Sequence, residues 1–284
     1  MKRILITGAN SYIGTSVEKW LGKYPDAYKV DTLDMENGSW RKKDFSGYDV
    51  VFHVAGIAHI RETKKNKDLY YKVNRDLAYE TAVKAKAEGV KQFTFLSSMS
   101  VYGIETGIIN KDTPLKPKTN YGKSKLEAEE LINKLADDRF LVAIIRPPMV
   151  YGRGCKGNYP KLAKLALKTP IFPNVDNKRS MLYIDNLSEF VKLLIDNCSS
   201  GSFFPQNAEY VNTSAMVKTI TEVHGKKIWM TKIINPVIRL MLRFGIVSKV
   251  FGNLVYEKSM SDYYMVNYQI RSFRESIELT ESGQ

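Results

Sequence analysis

Short apolar runs alternate with longer amphipathic stretches along the first half of the chain. Ile4, Leu5 and Ile6 run straight into Gly8, which reads as a buried strand over Lys2 to Thr7. After Gly14 a helical pattern passes through Val17, Trp20 and Leu21, and Gly22 and Pro25 end it. Tyr28 to Asp34 and Asp49 to Val54 read as the next two strands, the latter closed by Ala55 and Gly56. From about Leu69 to Glu88, Val73, Leu77, Ala78, Thr81, Ala82 and Ala85 share one helical face, with Gly89 as the cap. Gln92 to Ser97 is a further strand. Tyr121 to Leu135 is a helix that buries Leu126, Leu131, Ile132 and Leu135, and Leu141 to Arg146 is a strand stopped by Pro147 and Pro148. This alternation predicts βαβ units and a doubly wound, mostly parallel sheet. The regularity breaks after Gly152. Residues 1–151 and 180–225 are therefore expected to form the sheet domain, and 152–179 with 226–284 a small lobe.

The first turn reads Thr7-Gly8-Ala9-Asn10-Ser11-Tyr12-Ile13-Gly14. A strand before it and a helix after it give the context of a dinucleotide-phosphate loop, with helix-start amides facing the pyrophosphate. Gly8 permits the tight turn and Gly14 the close approach of helix to strand. Ser11 stands where glycine is commonest; a left-handed backbone there would cost about 1–2 kcal/mol, offset in part if its hydroxyl bound phosphate. An acidic residue about 20 positions on is expected to hold the adenosine ribose. Asp34 fits that place, with Asp31 as competitor, and no arginine follows Asp34 to receive a 2′-phosphate. The expected cofactor is NAD rather than NADP.

Tyr121 and Lys125 lie four apart, on one face of a helix. A phenol is a poor base at its ordinary pKa, and an adjacent ammonium together with a cationic nicotinamide ring favours the phenolate. Phe95-Leu96-Ser97-Ser98-Met99-Ser100 sits at the C-terminal end of a strand, where open parallel sheets bind ligands. Ser98 is the expected hydrogen-bond partner of the reacting oxygen, with Ser97 or Ser100 as weaker options.

With these segments in order, the chain resembles the extended short-chain dehydrogenase/reductases of the sugar-nucleotide epimerase/dehydratase group. The matching residues are Thr7-Gly8 to Gly14, Val54-Ala55-Gly56, Val73-Asn74, Ser97-Ser98 to Tyr102-Gly103, Tyr121 to Lys125, Arg146-Pro147-Pro148 to Gly152, and Arg179 to Leu187. The resemblance implies a Rossmann-type fold and NAD held by Gly8, Asn10, Ser11, Tyr12, Ile13, Gly14, Asp34, Ala55, Gly56, Asn74 and Pro147, together with Tyr121 and Lys125. It implies that Ser98, Tyr121 and Lys125 are catalytic, with Ser98 and Tyr121 also touching substrate, and that Asn158 and Arg179 contact a nucleotide diphosphate. Within the group the chain is most similar to bacterial 4-epimerases of UDP-glucose or UDP-N-acetylhexosamine, enzymes of surface-polysaccharide synthesis. NAD(P)H-dependent UDP-4-keto-6-deoxyhexosamine reductases are the alternative. A non-catalytic, dinucleotide-sensing regulator is the rival of another class, and the intact Tyr121/Lys125 pair speaks against it. A homodimer through the helices near Leu77 and Leu126 is implied by resemblance alone.

Composition changes this picture little. The net charge is +13, with basic residues running along the whole chain and no interleaving with aromatics of the RNA-binding kind. No nucleic-acid partner is expected; the charge suits a nucleotide-diphosphate ligand. Cys155 and Cys198 are far apart, and His53, His59 and His224 do not cluster, so reduced thiols and no metal site are expected in a cytoplasmic protein. Ile4 to Ile6 is too short for a signal-peptide core, and no run of about 18 uncharged apolar residues occurs. Pro236 to Tyr256 is apolar and punctuated by Arg239, Arg243 and Lys249. Gly245 interrupts it, so it reads as packing over the substrate or a partner subunit rather than as an interfacial membrane helix.

Overall fold

A six-stranded sheet forms the core of the chain's first unit. In spatial order its strands are Gly201–Phe203, Leu141–Ile145, Gln92–Leu96, Val50–His53, Lys2–Thr7 and Tyr28–Leu33. All five pairings are parallel. The computed structural model describes every residue except 59, 61, 64, 242–244, 265, 283 and 284, and it leaves out the side chains of 239, 245 and 246.

Side chains alternate across a strand, and here both faces are buried. Leu5, Val51, Phe93, Phe95 and Ile144 join one apolar cluster with Ala78, Ala82, Ala128 and Ile132 from the helices Leu77–Ala87 and Asn120–Asn133. On the other face Ile4, Phe52 and Ile145 are fully buried. There Gln92 donates to the carbonyls of Leu194 and Ser199, which ties down the helix Ile184–Asp196. This is the doubly wound, Rossmann-type α/β architecture. The first strand lies between the second and the third, so the chain reverses direction there, and that reversal opens a crevice at the strands' C-terminal ends.

The long helical stretch is not a plain α-helix. Lys67–Tyr71 and Leu77–Ala87 are α-helical, but Lys72–Asp76 forms a π turn, and Asn74 within it is buried. The helix that follows the first strand begins at Tyr12, before Gly14 rather than after it.

The second unit comprises 104–113, 148–186 and 206–284, and the first comprises 1–103, 114–147 and 187–205. Residues 206–225, expected with the sheet, contribute instead the helix Thr213–Val223, which packs against Asn158–Lys168 and Phe273–Glu281. Short parallel pairs join Met149–Tyr151 to Met181–Tyr183, Ile171–Pro173 to Trp229–Thr231, and Gly107–Ile109 to Leu254–Tyr256. A buried polar chain links Asn207 Nδ2, the Tyr151 hydroxyl and Ser276 Oγ at 3.0 and 2.6 Å.

Phe93 is fully buried, with His53 and Phe140 rings centred 5.9 and 6.2 Å away. Phe93→Ala is expected to lower the unfolding free energy of the sheet unit by about 3–5 kcal/mol in urea denaturation. A loss below about 1 kcal/mol would mean that the pocket collapses around the missing ring.

Candidate active site

The first turn closes on the third strand. Gly8 has φ +100°, and a Cβ there would lie 2.8 Å from the Ala55 amide nitrogen. No side chain fits that approach. The backbone departs from the expectation at the next positions: Asn10 takes the left-handed conformation (φ +64°), while Ser11 is extended at φ −72°. Ser11 therefore carries none of the strain considered for it. Its hydroxyl caps the helix by accepting from the Gly14 amide at 3.2 Å. The turn leaves a cradle without a Cβ at a helix N-terminus, and this suits a dinucleotide pyrophosphate.

Asp34 is exposed just beyond the second strand, and its Oδ1 accepts from the Glu36 amide at 2.9 Å. Asp31 is engaged elsewhere, since the Tyr48 hydroxyl donates to it at 2.7 Å. Asp34 is thus the carboxylate at the crevice end of that strand.

After the third strand the chain passes Ala55 and Gly56 and is latched by the π turn. Asn74 Oδ1 accepts from the Ile57 amide at 2.8 Å. Its Nδ2 donates to the Ile57 carbonyl at 3.1 Å and to Ser124 Oγ at 3.3 Å. A Cβ on Gly56 would meet Asn74 Oδ1 at 2.9 Å and Lys125 Nζ at 3.3 Å. The inserted residue of a π turn rotates one side chain out of α register, and here it aims Asn74 at the helix that carries Tyr121.

That helix, Asn120–Asn133, is capped twice. Thr119 Oγ1 accepts from the Gly122 amide at 3.1 Å. Glu62 accepts from the Asn120 and Tyr121 amides at 3.1 and 3.0 Å and from the Asn120 side chain at 3.0 Å. A carboxylate here complements the positive end of the helix dipole. Gly122 lets the first turn press onto the loop after the fourth strand, because a Cβ there would lie 2.7 Å from the Ser100 carbonyl.

Tyr121, Lys125 and Glu129 follow at intervals of four and form one stripe. Ser98 lies next to the Tyr121 phenol, and its hydroxyl donates to Ser100 Oγ and accepts from the Ser100 amide, both at 3.1 Å; burial pushes the phenol's pKa up, and the neighbouring Ser98 opposes that. Lys125 Nζ donates to the Leu96 carbonyl at 2.8 Å and lies 4.6 Å from the centre of the Phe95 ring. Burial holds Lys125 down to about 8, with the Glu129 carboxylate pulling the other way. Ser98 eases phenolate formation, and the Lys125 ammonium turns to the strand end and the Gly56 turn. Ser97 is buried and donates to Glu129, and Ser100 is exposed, so Ser98 is the serine beside Tyr121. The Pro147 carbonyl accepts from the Met99 amide at 2.9 Å, which joins the ends of the fourth and fifth strands.

Glu129 was not among the residues the sequence points to, nor was Arg146 given a role. Arg146 forks onto Glu129 through Nε and Nη2, at 3.1 and 2.6 Å, and also donates to the Tyr102 hydroxyl at 3.2 Å. Both charged side chains are buried, at 8 % exposure for Arg146 and 1 % for Glu129. The spacing Lys125 to Glu129 was visible; its long-range partner was not. His53, also buried, accepts or donates at 2.7 Å with Thr7 Oγ1, and burial and then the Lys125 charge push it down to about 3, so it is neutral. Among the described residues no group of three or more metal-ligating side chains occurs. His59 lies outside the described residues.

In the second unit Asn158 is exposed on the first turn of its helix, after Gly157. Arg179 pairs through its backbone with Val211 and Leu254. Its guanidinium donates to the Gly252 and Ser248 carbonyls at 3.0 and 3.5 Å. Among the described residues no carboxylate pairs with it, and burial pushes its pKa down. The expected alternative, a surface ion pair, is not what holds Arg179.

The dinucleotide cradle, the Ser98–Tyr121–Lys125 cluster and the doubly wound sheet define a nucleotide-dependent oxidoreductase-type enzyme. Residues 4–204 match the NAD dependent epimerase/dehydratase family, and the chain belongs to it. A UDP-glucose 4-epimerase of Vibrio cholerae is 32 % identical over 80 % of this chain and 77 % of its own length. An N-acetyl-α-D-glucosaminyl-diphospho-ditrans,octacis-undecaprenol 4-epimerase of Escherichia coli O157:H7 is 28 % identical over 88 % of this chain and 81 % of its own. A UDP-glucuronic acid 4-epimerase from Bacillus cereus, solved in complex with NAD, shares the fold at TM-score 0.76 and 19 % identity, covering 98 % of this chain and 97 % of that one. A dTDP-4-dehydrorhamnose reductase from Clostridium acetobutylicum has TM-score 0.74 at 21 % identity, covering 98 % of each chain.

Removing one member of a buried ion pair strands the other. Glu129→Ala is expected to cost about 3–5 kcal/mol in denaturant unfolding, whereas Glu80→Ala, at the exposed Arg41–Glu80 pair, should cost at most about 1 kcal/mol. Lys125 binds fewer protons folded than unfolded between about pH 8 and its ordinary 10.5, so its share of stability rises with pH through that window. Wild type should therefore gain about 2 kcal/mol relative to Lys125→Met between pH 7 and about pH 9.5, read from paired urea titrations. A constant difference would place the Lys125 pKa near its ordinary value.

Proposed function

We propose that this protein is an NAD-dependent nucleotide-sugar 4-epimerase of the UDP-glucose or UDP-N-acetylhexosamine class. The observation that carries the reading is the contact of Ser98 with Tyr121, one helical turn from Lys125, beside a glycine cradle for the cofactor. The names of the two relatives above support it, and a spore-coat polysaccharide protein of Bacillus subtilis, 31 % identical over 67 % of this chain, supports a role in surface polysaccharide.

Tyr121 takes the proton of the sugar 4-hydroxyl, and Ser98 holds that oxygen as the carbonyl forms. NAD held by the glycine cradle would supply the hydride acceptance and return at C4. Lys125 orients the nicotinamide ribose and adds positive charge near the phenolate. The 4-keto sugar turns over, the hydride is delivered to its other face, and Tyr121 gives the proton back. Asp34 holds the adenosine ribose and disfavours a 2′-phosphate, so NAD is the cofactor rather than NADP. Asn158 and Arg179 hold the diphosphate; among the described residues Arg179 donates to backbone carbonyls and meets no competing carboxylate.

Purified protein should interconvert UDP-hexose 4-epimers with no added dinucleotide. Strict dependence on added NADH or NADPH with a 4-keto sugar would make it a reductase instead. Tyr121→Phe should lower kcat by about 10²–10⁴ while NAD still co-purifies. Arg179→Met should raise KM for the UDP-sugar with a smaller change in kcat. Offering polyprenyl-diphospho-N-acetylglucosamine beside UDP-N-acetylglucosamine distinguishes the two substrate classes named for the relatives.

A further inference from the structure

The positive charge of the chain is not evenly distributed. Residues 153–175 contain five Lys or Arg and no Asp or Glu, and residues 225–256 contain six and none. These two runs hold eleven positive charges against a net of +13 for the whole chain, so the remainder is close to neutral. Both runs belong to the second unit, and the fold brings them together. Ile171 pairs with Trp229 in a parallel two-stranded sheet. The Asn174 amide donates to the Thr231 carbonyl at 2.7 Å, Asn235 Nδ2 to the Asn174 carbonyl at 2.8 Å, and Lys226 to the Leu167 carbonyl at 3.2 Å. Of the described basic side chains in the two runs, only Lys249 has an ion-pair partner, Glu105.

The same place exposes large apolar side chains. Trp229 is 67 % exposed, Ile233 81 %, Val237 58 % and Leu240 65 %. On the helix Asn235–Met241, Val237, Leu240 and Met241 stand at i, i+3 and i+4, and Ile233 continues the stripe one turn earlier. Leu242, Arg243 and Phe244 lie outside the described residues, and the stripe stands without them.

We propose that this face of the second unit docks on an anionic bilayer surface, with Trp229, Ile233, Val237 and Leu240 in the headgroup region and the surrounding lysines on lipid phosphates. Apolar side chains interleaved with lysines, within runs that carry no Asp or Glu, fit such an interface. A second copy meeting the same patch would set the two positive faces against each other. A nucleic acid would leave Ile233, Val237 and Leu240 facing a polar polymer. The docking does not depend on which sugar the site takes.

Tryptophan fluorescence reads this directly. Trp20 and Trp40 are 7 % and 2 % exposed, so Trp229 is the residue of the three that lipid can reach. Vesicles of phosphatidylcholine containing phosphatidylglycerol should shift its emission to the blue and carry the protein into the pellet. Pure phosphatidylcholine should do neither, and high salt should weaken binding at least tenfold. Trp229→Phe should abolish the shift while leaving most pelleting. Ile233→Ser with Val237→Ser, and separately Lys226→Gln with Lys227→Gln and Lys232→Gln, should each weaken pelleting at least tenfold with unchanged circular dichroism and unchanged turnover of soluble UDP-sugar. Equal pelleting with neutral vesicles, no pelleting at all, or full pelleting by both variants would overturn the proposal. So would a dimer that the apolar substitutions dissociate without any lipid effect, or tighter binding to duplex DNA than to the vesicles.

Discussion

The buried ion pair between Glu129 and Arg146 is the contact that fixes the helix of Tyr121 against the sheet. Glu129 belongs to the helix of Tyr121 and Lys125, and Arg146 stands at the end of the fifth strand. The same carboxylate takes the hydroxyl of Ser97 at the end of the fourth strand. One carboxylate therefore sets the helix against two strand ends, and the residues next in line, Ser98 and Pro147, inherit their positions from it. Two charges taken from water stabilise a fold only when geometry and further hydrogen bonds offset the desolvation. Here the guanidinium forks onto the carboxylate, and Tyr102 receives another of its donors. An apolar replacement could match its stability.

A second constraint acts from the opposite side of the tyrosine helix. Asn74 holds the Gly56 turn and Ser124 together, and Glu62 covers the first amides of the helix. The helix is thus fixed at its start, on its cofactor side and at its base. The Tyr121 phenol lies between opposing influences: burial opposes the phenolate, and the neighbouring Ser98 favours it. Lys125, pulled down toward neutrality by its own burial, is directed at a backbone carbonyl. A positive charge placed beside such a phenol would lower its pKa and favour the phenolate.

The legible parts of the sequence were those governed by local rules. The apolar runs ending in Gly8, Ala55-Gly56 and Pro147 mark three strands within a residue of their ends, because a strand buried on both faces has no polar alternation to blur it. The interval between Tyr121 and Lys125 is likewise local. What escaped depends on partners far along the chain. The π turn at Lys72–Asp76 leaves the apolar pattern helical and shows itself only in the burial of Asn74. Glu62 and Arg146 act at separations of 58 and 17 residues. Ser11 misled in the other direction: one residue earlier, Asn10 absorbs the left-handed turn, a task for which asparagine is suited.

The partition of charge separates a site with one chemical task from a free exterior. A nucleotide diphosphate needs only a few positive groups around it. Eleven positive charges in two acid-free runs exceed what one diphosphate can use. Solubility does not explain them, since soluble surfaces mix both signs and keep large apolar side chains apart. An exposed apolar stripe surrounded by unpaired lysines carries a cost in water. That cost is offset when the stripe leaves water and the lysines stay at its edge, as at the boundary between a bilayer's acyl chains and its phosphates.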